Sequence, residues 1–332
     1  MFKAGIIGTG RIAFLLELDK LREKPCTHMG ALSRDRGFTV TCACDLDTGR
    51  LRAFQKQYST PRLYTHYREM LKKEELDMVI IATWTDTHAP ITIAAARQKV
   101  RLIVCEKPMA FTYRDSLRML DACRKNGSIL MINHERRFDP LFLTVKKMIM
   151  NGKLGKIRTV TANVLTQLSS AKASFRIDKS SLLHDATHLI DMALFLFGPY
   201  KNVKGLVPSG RKDTAYGHIE FRNGVHLFLE AGGDRDYFNF ELDIQAVKGR
   251  IRVGNECREY FIGKRSGRYE GFHELERVKF PAYPDENCFQ RLYREAIGLL
   301  RGRVRVPSSS GLDASQGIRI IEKMVRNRKD EW

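Results

Sequence analysis

The first 134 residues alternate between short, almost wholly apolar runs and longer amphipathic segments. The apolar runs predict strands at residues 2–7, 38–44, 78–82, 102–105 and 129–133. The segments between them predict helices at residues 47–57, 67–73, 90–98 and 114–125. Strands that are apolar on both faces and alternate with helices are typical of parallel sheets covered on both sides. Residues 1–134 are therefore predicted to form a doubly wound α/β domain.

The pattern changes after about residue 155. Apolar and polar positions alternate strictly in residues 240–246, which is typical of a strand with one face on a core and one face towards water. The pair Asn223-Gly224 lies between two further apolar runs and predicts a two-residue hairpin. A helix is expected over residues 313–326. Residues 135–332 are thus predicted to form a second, α+β domain.

A glycine-rich turn follows the first predicted strand. It reads Gly8-Thr9-Gly10-Arg11-Ile12-Ala13. Glycines at this place let the backbone turn tightly and approach a pyrophosphate that lies on a helix N-terminus. The turn by itself is a weak signal, but its position directly after a buried strand is the one that a Rossmann fold requires. We therefore interpret Gly8, Thr9, Gly10, Arg11 and Ile12 as a dinucleotide-binding turn.

Asp45 ends the second predicted strand, where a carboxylate can bind both hydroxyls of an adenosine ribose. Such a carboxylate repels a 2′-phosphate, so NAD is favoured, although the cations Arg11 and Arg50 leave NADP open. The alternative is that Asp45 caps the following helix. Asp45 comes 35 positions after Gly10, whereas about 20 is usual, which indicates an insertion at residues 14–27. This insertion either lies close to the cofactor or is a surface elaboration.

The tetrad Cys105-Glu106-Lys107-Pro108 follows the strand predicted at residues 102–105. Together with the glycine turn it resembles the family of glucose-fructose oxidoreductase and inositol dehydrogenase, whose members carry an EKP motif after the fifth strand. The further motifs that share this resemblance are Cys44-Asp45, Arg136-Arg137-Phe138, Gly152-Lys153-Leu154-Gly155-Lys156 and the segment 184–191. The resemblance implies a Rossmann domain, a second domain with a large, mostly antiparallel open sheet, and a closing helix that packs back on the first domain.

The resemblance also implies catalytic roles. In the family the EKP lysine, here Lys107, binds the reacting hydroxyl, and a histidine on a second-domain helix serves as acid/base. That helix is predicted over residues 182–197, and His188 is the matching histidine. The family's usual Asp four positions earlier is replaced by His184, while Asp185 stands three positions earlier. At 100° per residue, both would share a face with His188. Either Asp185 orients His188, or His184 replaces the acid.

Weaker candidates lie elsewhere on the chain. The cofactor set is extended by five residues after the fourth and fifth strands: Thr83, Trp84, His88, Glu106 and Lys107. Trp84 is open to a second interpretation, as a buried side chain that fills space. The substrate set of Lys107 and His188 is extended by His134, after the sixth strand, and by Arg176, in a segment that resembles the family's W-R-x-D motif. Arg176 either binds an acidic group or pairs with Asp178.

The His184 and His188 pair also resembles half of a zinc site, because histidines at i and i+4 can grip a metal. The sequence singles out no third ligand, so we expect no metal. The cysteine number is odd at seven, and three of these residues lie in predicted strands, so no disulfide framework is expected.

Composition sets the remaining limits. No run in the 332 residues approaches the roughly 18 apolar residues of a membrane span. The first strand begins directly after Met1, which leaves no room for a signal peptide, so we expect a cytoplasmic protein. The net charge of +19 indicates either an anionic partner or a solvated basic surface. No aromatic-interleaved basic stripe is present, and nucleic acid is not expected as a partner.

The sequence therefore predicts an NAD(P)-dependent oxidoreductase. Hydride would pass between nicotinamide and a hydroxyl or keto carbon of a sugar, a polyol, or a nucleotide- or phosphate-linked sugar, with Lys107 and His188 as catalytic residues and His184 and Asp185 modifying His188. The family resemblance implies a homodimer or homotetramer. The alternative is a non-catalytic, cofactor-bound sensor of the same fold.

Overall fold

The structure is a computed structural model that describes residues 1–60, 62–166, 181–206, 214–233 and 235–326. Within these residues the helices are α1 (His28–Leu32), α2 (Thr48–Tyr58), α3 (Tyr67–Lys73), α4 (Thr85–Arg97), α5 (Tyr113–Asn126), α6 (Pro140–Met150), α7 (Ser181–His184), α8 (Ala186–Phe197), α9 (Cys288–Leu300) and α10 (Gly311–Arg326). Short 3₁₀ helices occupy Leu15–Leu18 and Glu135–Phe138.

The strands of the described residues are β1 (Phe2–Ile7), β2 (Phe38–Cys44), β3 (Arg62–Tyr64), β4 (Met78–Ile81), β5 (Leu102–Glu106), β6 (Ile129–Asn133), β7 (Ile157–Leu165), β8 (Tyr200–Leu206), β9 (Thr214–Phe221), β10 (His226–Gly232), β11 (Asn239–Ala246), β12 (Gly249–Gly254), β13 (Arg258–Arg265) and β14 (His273–Val278).

The chain divides into two compact units. One contains Met1–Pro140 and Asp285–Ile318, and the other contains the described parts of residues 141–284 and 319–326. Residues 285–318, which the sequence prediction places in the second domain, thus group with the first unit, because α9 packs on α1 and on the 3₁₀ helix Glu135–Phe138. The predicted boundary after residue 134 stays a prediction.

The first unit is built on a parallel sheet with the strand order β3-β2-β1-β4-β5-β6 among the described strands. Every residue of β4 and β5 is buried, as expected for central strands covered on both faces. Two apolar clusters cover the sheet. One includes Ile6, Ile80 and the α9 residue Tyr293, and the other includes Ile81 and Ile103. The doubly wound parallel sheet predicted from the sequence is confirmed.

Most helix limits of the first unit agree with the sequence pattern. Thr112 caps α5, because its Oγ1 accepts a hydrogen bond from the backbone N–H of Asp115 (3.0 Å). The predicted start of α4 at Pro90 is wrong. The helix begins instead at Thr85, directly after Trp84 in extended backbone, and takes Pro90 into its second turn.

The predicted insertion at residues 14–27 is anchored within the first unit. Phe14 is buried edge-on against Phe54, with ring centroids 5.3 Å apart. The carboxylate of Glu17 accepts hydrogen bonds from the Cys26 backbone and the Thr27 hydroxyl, both at 3.0 Å. The carbonyl of Pro25 accepts a hydrogen bond from the side chain of Asn287, 2.8 Å away. The segment is therefore a packed part of this unit, and it leads directly into α1.

The second unit contains a large sheet with the strand order β14-β13-β12-β11-β7-β10-β9-β8 among the described strands. Its neighbouring strands pair antiparallel except for β7 and β10, which are parallel. The predicted hairpin joins β9 to β10, but its loop has three residues, 222–224, and not the predicted two, because the Phe221 N–H donates to the Val225 carbonyl (2.9 Å). Gly224 has a φ of +83°, whereas Asn223 lacks the positive φ that a two-residue type I′ turn requires. The mostly antiparallel sheet is thus confirmed.

The helix predicted over residues 182–197 is interrupted, which corrects the prediction of one continuous helix. α7 ends at His184, α8 begins at Ala186, and Asp185 lies between them. The carboxylate of Asp185 bonds the ring of its neighbour His184 (3.0 Å) and makes no capping bond to α8. Aspartate has a low propensity for the helix interior. The apolar side of α8 is buried and consists of Leu189, Ile190, Ala193 and Leu196.

Among the described residues, no helix has the length and apolar character needed to cross a bilayer. Within the same residues, no cluster of side chains could hold a metal ion.

Candidate active site

The glycine turn connects β1 to the inserted segment at the carboxyl edge of the parallel sheet. Gly8 has a φ of +92°, and a Cβ built on it would lie 2.5 Å from the carbonyl oxygen of Ala82 at the end of β4. Only glycine fits there without strain. Gly10 differs, because the nearest atom to a Cβ built on it is Arg50 Nη1 at 3.8 Å. The backbone at Gly10 therefore faces open space, as the close approach of a ligand requires.

The two glycines should respond differently to alanine. Gly8→Ala is expected to lower the free energy of unfolding by about 1–3 kcal/mol from the φ strain alone. Gly10→Ala should leave that free energy nearly unchanged and raise the Kd for NAD by about tenfold or more, because the added methyl occupies the approach to the backbone. Urea unfolding and NAD titration of both variants measure this contrast. An unchanged NAD Kd in Gly10→Ala would contradict a ligand at this backbone.

Asp45 is held in a defined orientation beside the glycine turn. Its Oδ2 accepts hydrogen bonds from the Thr9 backbone N–H (2.7 Å) and hydroxyl (3.0 Å), and its Oδ1 accepts one from the Asp47 backbone (3.0 Å). Arg50 Nη1 lies 3.9 Å from the same carboxylate. Asp47, rather than Asp45, is the N-cap of α2. The alternative interpretation of Asp45 as a helix cap is therefore wrong.

These residues fit a dinucleotide. The open backbone at Gly10 can take a pyrophosphate, and the fixed carboxylate of Asp45 stands at the end of β2, where a ribose binds in Rossmann domains. When bound, NAD supplies a nicotinamide carbon that accepts or gives a hydride. The roles of Thr9, Arg11 and Ile12 in holding it stay predictions. Thr9 is buried, Ile12 is partly buried and Arg11 is exposed.

Replacement of Asp45 by alanine is expected to relax the preference for NAD over NADP. Loss of the carboxylate removes both the ribose acceptor and the repulsion of a 2′-phosphate, while Arg50 remains, so the ratio of kcat/KM for the two cofactors should fall by about 10- to 100-fold. Asp47→Ala is the matched control, because it removes a neighbouring exposed carboxylate and should leave the ratio unchanged. A wild-type protein that already strongly prefers NADP would contradict this role.

The loop after β4 contains three of the predicted cofactor residues. Trp84 is 77% exposed, so the alternative of a buried, space-filling tryptophan is wrong. His88 is buried, and its ring nitrogens contact the carbonyl oxygens of Pro108 (2.9 Å) and Thr83 (3.1 Å). Burial lowers the pKa of His88. The imidazole thus links this loop to the EKP motif. Its own contact with a cofactor, like those of Thr83 and Trp84, stays a prediction.

Glu106 of the EKP motif points into the interior of the first unit. Its Oε1 accepts hydrogen bonds from His28 Nε2 (3.0 Å) and Asn133 Nδ2 (2.5 Å), and its Oε2 accepts one from the Lys107 backbone (3.2 Å). Burial raises the pKa of Glu106, but these hydrogen bonds and the charge of Lys107 outweigh it, so the pKa lies below its ordinary value. Glu106 is a buried, ionised carboxylate. A direct cofactor contact of this residue stays a prediction.

Lys107 follows β5 directly and is partly buried. β5 lies beside β4, and β4 lies beside β1, in a sheet whose strands are parallel. Carboxyl ends of neighbouring parallel strands meet at one edge, so Lys107 stands at the same edge as the glycine turn. His134, which follows β6 at that edge, is buried. Arg137 pairs with Asp313 (3.0 Å) and donates to the Ser308 carbonyl (2.7 Å), which are structural contacts within this unit.

The second unit places its candidates at the break between α7 and α8. The His184 side chain is 59% exposed and its Nδ1 lies 3.0 Å from Asp185 Oδ1. His188 is partly buried in the first turn of α8, and its backbone N–H donates to the Asp185 carbonyl (3.2 Å). The structure therefore brings Asp185 to His184, while an orienting role for Asp185 towards His188 stays a prediction. Arg176 lies outside the described residues.

Sequence reasoning did not identify His28 and Tyr293 as site residues. His28 Nδ1 lies 2.6 Å from the Tyr293 hydroxyl, and both side chains are fully buried. They are 265 positions apart, so no local pattern connects them. The available signal was a histidine within an otherwise apolar segment, directly after the insertion and opening α1.

Comparison with known proteins agrees with this geometry. The model of the oxidoreductase family with an NAD-binding Rossmann fold, GFO/IDH/MocA, matches residues 2–134, and the model of the GFO/IDH/MocA C-terminal domain matches residues 142–252. An uncharacterized oxidoreductase, YrbE of Bacillus subtilis, is 28% identical over 76% of this chain and 73% of its own. Myo-inositol 2-dehydrogenase of Thermotoga maritima is 26% identical over 83% of this chain and 84% of its own.

Two solved structures share the fold. WlbA dehydrogenase of Bordetella pertussis, in complex with NADH and UDP-GlcNAcA, superposes with a TM-score of 0.79 at 23% identity, over 99% of this chain and 97% of its own. Aldose-aldose oxidoreductase of Caulobacter crescentus superposes with a TM-score of 0.81 at 21% identity, over 98% and 97%. The family resemblance identified from the EKP motif and the glycine turn is confirmed. The chain belongs to the GFO/IDH/MocA family, and it is an NAD-dependent oxidoreductase.

Proposed function

We propose that this protein transfers hydride between NAD and a carbinol or keto carbon of a sugar, a polyol, or a nucleotide- or phosphate-linked sugar. The observation that carries the proposal is the position of Lys107. It stands at the carboxyl edge of the parallel sheet, the edge that also carries the glycine turn and Asp45. A side-chain amine at this edge, beside the expected nicotinamide, can bind the hydroxyl whose carbon reacts.

Oxidation of an alcohol also needs a base for the hydroxyl proton. We assign this role to His188, whose imidazole can accept a proton near neutral pH, with Lys107 as the group that binds and orients the hydroxyl. His184 and Asp185 are assigned as modifiers of His188, because they form a contacting pair one turn before it. His134 and Arg176 complete the proposed substrate set. Lys107 belongs to the first unit and His188 to the second.

The substrate class rests on the relatives. They include inositol 2-dehydrogenase of Salmonella typhimurium and D-apiose dehydrogenase of Paraburkholderia graminis, which is 31% identical over 52% of this chain. Both names denote oxidation of polyhydroxylated compounds. The net charge of +19 favours a substrate with a phosphate or carboxylate group within that class, because a basic surface attracts anions.

A substrate panel tests the proposal. Sugars, polyols, uronates and nucleotide sugars are offered with NAD, and the absorbance of reduced cofactor is followed. At least one compound should give saturable turnover that disappears in Lys107→Ala. NAD binding without redox change for any class of compound would contradict the proposal and support a non-catalytic sensor of the same fold. The presence of both Lys107 and His188 argues against such a sensor.

The proposal extends to assembly and location. The β9 strand alternates between buried and partly exposed residues, so the sheet of the second unit carries a second face, on which Phe228 is 51% exposed. Covering this face with a second copy would bury apolar surface. We propose a homodimer or homotetramer that works in the cytoplasm. A monomeric mass in sedimentation at micromolar concentration would contradict the assembly.

A further inference from the structure

A chain of buried polar side chains leads from the interior of the first unit to Lys107. The Tyr293 hydroxyl contacts His28 Nδ1 (2.6 Å), His28 Nε2 contacts Glu106 Oε1 (3.0 Å), and Glu106 Oε2 accepts the backbone N–H of Lys107 (3.2 Å). Asn133 Nδ2 donates to the same carboxylate at 2.5 Å. We call His28, Glu106, Asn133 and Tyr293 the buried tetrad. It draws on α1, β5, β6 and α9, so four separate elements converge behind one lysine.

The direction of each hydrogen bond follows from chemistry. An ionised carboxylate can only accept, so Nε2 of His28 carries a proton and donates to Glu106. When the imidazole is neutral, Nδ1 is then an acceptor, and it takes a hydrogen bond from the donor on its other side. Burial raises the pKa of Tyr293 well above its ordinary value, so this hydroxyl keeps its proton and donates to Nδ1. Tyr293 thereby selects the tautomer of His28 whose Nε2–H donates a hydrogen bond to Glu106.

Burying the four polar side chains of the tetrad costs free energy, and a purely structural role would not require them. A carboxylate removed from water is unfavourable unless several donors compensate it, and apolar side chains of similar volume would often stabilise a fold equally well. Here the donors hold a negative charge directly beside the lysine of the EKP motif. That charge can keep Lys107 in a fixed position at the carboxyl edge of the sheet.

We propose that His28 is a positioning residue for Lys107, which acts by keeping Glu106 ionised and oriented. This inference rests on the proposed function, because it assumes that Lys107 binds the reacting hydroxyl. His28 does not touch the substrate in this scheme. The effect of His28 reaches Lys107 through the Glu106 carboxylate. Asn133 donates a hydrogen bond to that carboxylate, and Tyr293 contacts the other side of the His28 ring.

The decisive variant is His28→Leu, which preserves bulk and removes the donor to Glu106. Burial is then less fully compensated, so the pKa of Glu106 rises and the carboxylate takes up a proton at a higher pH than in the wild type. The active form is the ionised one. The kcat of His28→Leu should therefore fall as the pH decreases through the raised pKa of Glu106, whereas Glu106 of the wild type stays ionised and adds no such limb.

At pH 7 kcat of the variant should be about 10- to 100-fold lower, as expected for a misplaced catalytic group. The Kd for NAD should be nearly unchanged, because His28 bonds the glycine turn only through its backbone N–H, which donates to the Ile12 carbonyl (3.1 Å), and the substitution keeps that group. His28→Gln should restore part of kcat, since its amide can donate to Glu106. A purely structural role would change the stability of the protein without adding an acid limb to the pH profile.

Other titratable groups near the carboxylate must be separated from it. The charge of Glu106 influences His28, His88, Cys105, Lys107, Glu135 and Tyr293. Of these, Glu135 has a carboxyl group whose pKa is raised by burial, so it could also give an acid limb. The double variant His28→Leu/Glu106→Gln resolves this point, because it should have low kcat and no new limb. Infrared spectroscopy of the protein without cofactor gives a second readout: His28→Leu should show a protonated carboxyl band that the double variant lacks.

Tyr293→Phe tests the far end of the chain with minimal change in volume. It should produce a weaker form of the same acid limb, because His28 loses the donor that selects its tautomer. Tyr58→Phe is the matched control. Tyr58 packs in the same apolar cluster, outside the tetrad, and its loss of a hydroxyl should leave kcat and the pH profile unchanged.

Two results would overturn the inference while leaving the proposed function intact. One is that Lys107→Ala abolishes the activity of the enzyme while His28→Leu leaves both kcat and the pH profile unaltered. The other is the absence of the protonated carboxyl band in folded His28→Leu. An enzyme that remains fully active in Lys107→Ala would instead overturn the function assigned to the lysine, and the inference with it.

Discussion

Alanine in place of His188 is expected to lower kcat by about 10²- to 10⁴-fold, the usual cost of losing a positioned acid/base. His188 lies in the first turn of α8, and the glycine turn lies in the other unit, so the Kd for NAD should be nearly unchanged. The limb of the pH profile that reports the base should also disappear. Steady-state kinetics from roughly pH 5 to 8, a span that brackets the ordinary histidine pKa of about 6.5, and NAD titration measure these effects.

Two further histidine variants provide the controls for that experiment. His226→Ala removes an imidazole from β10 of the same unit, where it stacks on His218, and should leave kcat unchanged. His184→Ala should have a smaller effect than His188→Ala, because its imidazole is mostly exposed and contacts Asp185. A fully active His188→Ala with an inactive His184→Ala would transfer the acid/base role to His184.

The parallel sheet could be predicted from the sequence because its strands are buried on both faces. A run such as Met78–Ile81 must be almost wholly apolar to lie between two layers of helices, and that requirement is visible without a structure. The start of α4 at Thr85 was harder to predict, because a proline such as Pro90 is most common in the first turn of a helix and here lies in the second. The break at Asp185 was also missed, since the sequence of residues 182–197 carries no glycine or proline that would mark an interruption.

The candidate site shows the same division. Gly8, Asp45 and Lys107 could be selected because each stands just after an apolar strand, and the ends of parallel strands share one edge. The buried tetrad next to Lys107 could not be predicted from the sequence. His28 and Tyr293 meet only because α1 and α9 pack together, and the contact of two residues so distant in sequence is a property of the tertiary structure.

Lys107→Ala is expected to lower kcat by a similar factor of about 10²- to 10⁴-fold and, unlike His188→Ala, to raise KM for the substrate as well. The side chain is proposed to bind the hydroxyl in the ground state and to orient it during hydride transfer, so its loss affects both parameters. Glu106 remains ionised through His28 and Asn133, so the fold should be retained. Initial-rate kinetics with the best compound of the panel, together with urea unfolding, measure these effects.

Lys107→Arg separates the charge of the lysine from its geometry and its proton. The guanidinium keeps a positive charge beside Glu106, but it cannot be deprotonated and its planar fork cannot occupy the place of a compact ammonium. KM should therefore recover more than kcat does. Addition of a small primary amine to Lys107→Ala should restore part of kcat, because the amine can enter the vacated volume. Full activity of Lys107→Arg would mean that positive charge alone suffices, and an alanine variant with wild-type kcat would remove the lysine from the reaction.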